Sequence, residues 1–122
     1  MSDLSPAVAV GVGGALGAVL RYYVAMALDA EEYPSGTLAV NVLGSFGAGL
    51  ILFAGVDGTL WLFFTVGVWG SFTTFSSFSF QTVRLWEEGR VPAATIHALG
   101  NLLGSLAAIG LAWFVVRITG LG

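Results

Sequence analysis

The chain has 122 residues, 57% of them hydrophobic and 9% charged, with a formal net charge of −3, no lysine and no cysteine. A soluble domain carries about a quarter charged residues, and a soluble fold of this size cannot hide so much apolar surface. Composition therefore excludes a soluble globular protein and predicts a single domain, residues 1–122, dissolved in a lipid bilayer. Clustered basic residues, which nucleic-acid binding needs, are missing, and disulfides and thiolate metal sites are excluded.

Charges fall in clusters, and the gaps between them mark the spans. The first six residues are acidic and lack the basic n-region of a signal peptide, so the first apolar segment is expected to be retained. Residues 7–28 carry one charge, Arg21, followed by a turn with Asp29, Glu31, Glu32 and Pro34. Residues 36–56 carry none, and Asp57-Gly58 make a short turn. Residues 59–83 are again uncharged, and Arg84, Glu87, Glu88 and Arg90 mark the next turn. Residues 91–116 hold only His97. Each run reaches the roughly 20 residues that cross a bilayer as a helix. Lipid admits only helices or closed barrels, and these runs lack the alternation of a barrel strand. The expected fold is all-α, with four transmembrane helices.

Small residues fill the helices. Gly11, Gly13, Gly14 and Gly17 lie in the first, Gly44, Gly47 and Gly49 in the second, and Gly100, Gly104 and Gly110 in the fourth. Gly100 and Gly104 form a GxxxG pair, the pattern that lets helix backbones approach closely. A compact bundle follows, completed by a second subunit, because four short helices can hardly enclose a polar path alone.

The third span is the anomaly. Residues 68–81 hold six hydroxyl residues and four phenylalanines. One or two serines in a span simply bond back to the i−4 carbonyl; six within a few turns point to function, as polar groups at membrane depth usually do. Phe72, Phe75 and Phe78 recur at i+3, as do Ser76 and Ser79, and such neighbours share a helix face. The sequence Gly70 to Thr74 predicts a break. Irregular backbone at this depth frees carbonyl oxygens and survives only where something uses them; a hard cation such as Na⁺ would do so. A phenyl ring has a positive edge that an anion can meet, and a weak contact suits conduction.

Elsewhere, Asn41, Gly44 and Ser45 share one face of the second span, with Thr37 a turn earlier. An interhelical hydrogen bond and a pore role both stand open for Asn41. Arg21 fits snorkelling to the interface together with a positive vestibule that draws anions. His97, Asn101 and Ser105 share a face of the fourth span, but His97 has no second strong ligand for a metal.

These residues resemble the Fluc (CrcB) family of fluoride channels over essentially the whole chain. The stretches 13–18 with Arg21-Tyr22, 36–46, 70–79 and 104–106 carry the resemblance, and 70–79 is the most specific. The resemblance implies an antiparallel, dual-topology dimer with two pores, each built from both subunits. It implies that Phe75 and Phe78 meet fluoride with their ring edges, that Asn41 donates to the ion, that Ser76 and Ser79 form a polar rail with Thr37 in the pore, and that Arg21 lies in the vestibule. It also implies a structural Na⁺ on the carbonyls of Gly70 and Thr73 at the dimer centre. Two departures stand out: Gln81 replaces a frequent Glu, and His97 and Asn101 replace a frequent Tyr and Ser. The implied role is passive export of fluoride across the plasma membrane, by a homodimer or a heterodimer with a related subunit. The main alternative is a small four-helix proton-coupled drug or cation exporter, which needs a carboxylate inside a span; every acid here lies in a turn or terminus. No nucleophile stands beside a base, which excludes an enzyme. Arginines fall on both sides, so the positive-inside bias is slight.

Overall fold

A computed structural model describes residues 3–30 and 33–122. Helix α1 spans Pro6–Leu28. Ser5 caps it by accepting from Val8 N–H at 3.2 Å, and Pro6 fits the first turn, where no N–H is needed. Asp29 closes α1 with its N–H on Ala25. Its carboxylate then accepts from Gly36 N–H at 3.0 Å, so one side chain ends the first helix and begins the second. Helix α2 spans Ser35–Phe53. Gly55, at φ +74°, makes the turn that follows.

The third span is broken, as its sequence predicts. It starts as α3 (Gly58–Trp61), widens into a π-helix (Leu62–Trp69) and ends as α4 (Gly70–Phe72). Thr73 is extended (φ −84°, ψ 162°), and α5 (Ser76–Glu87) restarts the helix. Helix α6 spans Val91–Thr119 and stops at Gly120 in the left-handed region, a common helix ending. Helices α1, α2 and α6 are long and apolar enough to cross a membrane. The third crossing is assembled from shorter pieces.

Two pairings hold the bundle: α2 against α6, and α1 against the π-helix. The second is backbone on backbone. A methyl group at Gly13 would run into the Phe63 carbonyl, and one at Gly17 into the Val68 carbonyl. From the other side, a methyl at Gly67 would stand 3.0 Å from Gly13 Cα. The close approach expected of Gly100 and Gly104 belongs instead to Gly13 and Gly17, the GxxxG pair of α1. Gly104 meets the side chain of Val42, and Gly100 that of Leu38. Both lie against side chains because α2 presents branched residues there.

Phe72 departs from the expected face. It is buried (5% exposed) and packs edge-on against Trp69, while Phe75 is 79% exposed. The helical period is interrupted at Thr73, so three residues of sequence no longer give a common face.

Candidate functional site

The break is held from α2. Thr74 N–H donates to Asn41 Oδ1 at 2.8 Å, and Asn41 Nδ2–H donates back to the Thr74 carbonyl at 3.0 Å. This two-bond clamp takes up the N–H and carbonyl of Thr74, just past the extended Thr73. It also releases Gly70: the N–H four residues on, which would close its helical bond, has gone to Asn41. The Thr74 hydroxyl accepts from Ser77 N–H at 3.1 Å and so caps α5, as a side-chain oxygen does at a helix start. Gly44 leaves room for the break, since a Cβ there would collide with the Thr73 methyl.

A second asparagine extends the network. Asn41 Nδ2–H also donates to Asn101 Oδ1 at 2.8 Å. Asn101 Nδ2–H donates to the His97 carbonyl at 2.8 Å, and Nδ2 also lies 3.3 Å from His97 Nδ1. His97 is fully buried, stacked at a tilt on Phe78 with ring centroids 5.5 Å apart and meeting Tyr33 edge-on at 5.6 Å. The network thus ties α2, the break and α6 together. Tyr33 lies in the turn before α2, and desolvation raises its phenol pKa above the ordinary value of 10.0, so it stays a neutral hydroxyl.

Beside the network opens a cleft of about 590 Å³. Phe75, Phe78, Leu99, Leu102 and Leu106 supply apolar wall, and Asn41, Ser45, Thr73, Thr74, Asn101 and Ser105 supply polar groups. The structure brings Asn41, Phe75 and Phe78 together here, with the two rings 5.9 Å apart. Four other candidates lie elsewhere. Thr37 is buried in the first turn of α2. Ser76 is exposed on α5, its Oγ 3.4 Å from Thr74 Oγ1. Ser79 turns back to donate to the Phe75 carbonyl at 2.9 Å. Arg21 reaches from α1 to the break, where Nη1–H donates to the Thr73 carbonyl at 3.3 Å.

Gly70 lines a neighbouring cavity of about 370 Å³ together with Thr73, Thr65, Trp69, Gly44 and Ser45. Trp69 Nε1 and Thr65 Oγ1 are buried there without hydrogen-bond partners. The π-helix shows in the backbone beside them: Gly70 N–H takes the Thr65 carbonyl five residues back. At the outer end, Gln81 lines a smaller cavity with Asp29, Tyr33, Arg84, Glu88 and Arg90. Its Oε1 is likewise buried without a partner. Among the described residues no group of three or more His, Cys, Asp or Glu can hold a metal.

Sequence reasoning did not single out Thr74 and Asn101 as site residues. For Asn101 the signal was there, in the i, i+4, i+8 spacing with His97 and Ser105. For Thr74 the signal was the predicted break from Gly70 to Thr74, which does not say which of its residues is clamped.

Three helices long and apolar enough to cross a membrane, with a fourth crossing assembled around a clamped break, define a small multi-pass membrane protein. The chain belongs to the CrcB-like family: the family model described as "CrcB-like protein, Camphor Resistance (CrcB)" matches residues 8–113. It is 57% identical over 118 residues to the fluoride-specific ion channel FluC 2 of Haloarcula marismortui, covering 97% of this chain and 99% of that one. It is 53% identical over 111 residues to FluC 1 of Halobacterium salinarum, covering 91% and 93%. The fluoride-specific ion channel FluC of Agrobacterium fabrum is 44% identical over 110 residues, covering 82% and 86%.

Proposed function

We propose that this chain forms a fluoride-selective passive channel of the plasma membrane that exports fluoride from the cytoplasm. The observation that carries the reading is the cleft, which Phe75 and Phe78 line together with Asn41 at a clamped helix break. Fluoride is small and a strong hydrogen-bond acceptor, so an amide N–H and the positive edges of phenyl rings suit it. Weak, repeated contacts let the ion leave as readily as it enters. Fluoride enters cells as neutral HF in acid surroundings and ionises inside. A negative interior then drives the anion out, at roughly 2.3 kcal/mol per charge per 100 mV. No span contains a carboxylate to carry protons, which disfavours a proton-coupled exporter, and no catalytic step is involved.

One subunit leaves Phe75, Ser76 and Ser77 exposed, a costly surface to offer to lipid. A second copy, or a related subunit, covers it in this reading and completes each pore, with the two subunits antiparallel. The freed carbonyl of Gly70 and the carbonyl of Thr73, already touched by Arg21, suit a hard cation. A structural Na⁺ at the subunit interface would supply a fixed positive charge there. Arg21 would add to it from α1, and Ser76, Ser79 and Thr37 would supply hydroxyls along the path.

The reading is tested with purified protein in liposomes loaded with fluoride or chloride. Rapid fluoride efflux with negligible chloride efflux is expected; equal rates for the two ions would sink the assignment.

A further inference from the structure

Asn41 has no N–H to spare. A side-chain amide carries two donor hydrogens, and both are engaged, one on the Thr74 carbonyl and one on Asn101 Oδ1. An anion that binds Asn41 must therefore displace an acceptor already there. The two acceptors are not equivalent. Thr74 is held by a reciprocal pair of bonds that anchors the helix break. Asn101 contributes a single bond from a side chain on another helix, and it lines the same cleft as Phe75 and Phe78. Its own amide hydrogens both face His97, through the carbonyl and Nδ1. The Asn101 oxygen is thus aimed at Asn41 by its own bonds on α6.

We propose that Asn101 is a positioning residue that sets how tightly the cleft takes an anion: its side-chain oxygen occupies the Asn41 N–H in the empty cleft, and an entering anion has to displace it. Fluoride, with its charge concentrated on a small ion, is a strong enough acceptor to do so. Every anion meets the same competing bond, so the bond lowers affinity by a common factor and leaves the choice between fluoride and chloride to the ion's other contacts. The inference rests on the fluoride-channel reading and assigns part of its affinity to one residue.

The test replaces Asn101 with Ser, whose short hydroxyl turns back to the His97 carbonyl as Ser79 does to Phe75, leaving the Asn41 N–H open. In liposomes, Asn101→Ser is expected to reach half-maximal fluoride flux at about one-fifth of the wild-type concentration, the worth of one ordinary hydrogen bond. The ratio of the half-saturating concentrations of chloride and fluoride is expected to hold, because both ions displace the same bond. A mere packing role would not lower the half-saturating concentration. An unchanged half-saturating fluoride concentration in a folded variant overturns the proposal. A measurement on the unmutated protein covers the case of a variant that does not fold. The chain has two asparagines, Asn41 and Asn101, so ¹⁵N-asparagine labelling gives two side-chain amide signals. Fluoride should shift both, and chloride at equal concentration neither. Fluoride shifting only the Asn41 signal, or neither in a protein that conducts, overturns the role of Asn101. A wild-type protein that passes no fluoride overturns the channel reading itself.

Discussion

Phe72 and Phe75 differ by three positions and share a residue type, yet they do opposite work. Phe72 is buried against Trp69, so Phe72→Ala should cost about 3–5 kcal/mol of stability, read as a fall in the melting midpoint in detergent. Phe75 is largely exposed beside Phe78 in the cleft. Phe75→Ile should therefore leave that midpoint nearly unchanged, yet lower fluoride flux up to roughly tenfold, the upper worth of one aromatic contact. Unchanged flux in Phe75→Ile would remove the ring-edge argument. The sequence shows Phe75, Phe78 and Asn41 as unusual for a span, and the structure gathers all three in one cleft. It does not show which phenylalanine faces inward. Side-chain direction follows from helical period, and the period stops at Thr73.

At the level of elements, the unexpected piece is the π-helix of Leu62–Trp69. Such widened turns are rare and frequent at functional sites. Here the widened segment lies flat against α1, where Gly13 and Gly17 admit its backbone. Charge spacing placed the helices because charges must leave the bilayer. It left the π-turn illegible, since an apolar run bonded i→i+5 looks in sequence like one bonded i→i+4. The contact predicts a contrast between two glycines. Gly17→Ala forces a methyl into the Val68 carbonyl and should cost about 1–3 kcal/mol. Gly110→Ala has nothing within 4 Å and gains helix propensity of about 1 kcal/mol, so its midpoint should hold or rise. Thermal unfolding in detergent measures both; equal shifts would show that α1 does not depend on backbone contact.

For the whole molecule, the decisive surface is the one around Gly70. Gly70 and Thr73 line its cavity, which also holds two buried groups without partners, Trp69 Nε1 and Thr65 Oγ1. Unsatisfied buried polar atoms cost about 1–3 kcal/mol each, so this face gains when something polar covers it. The sequence suggested a cation here through the idea of a break and through the family resemblance. The structure supplies a physical reason for Gly70 in particular, because Asn41 withdraws the Thr74 N–H that would have closed its bond. A cation shared by two subunits makes dimer formation and cation binding two aspects of one equilibrium. Reassembly from detergent-separated subunits in Na⁺ should then yield mostly dimer by light scattering, and reassembly in a bulky organic cation mostly monomer. Exchanging Na⁺ for that bulky cation after assembly should leave fluoride flux unchanged over minutes, since an ion enclosed between subunits, as proposed, would exchange slowly. Flux that stops at once on exchange would make Na⁺ a transported partner and the protein a coupled carrier. Dimer yield indifferent to the cation would remove the site from Gly70 and Thr73 and leave Arg21 as the positive charge at the break.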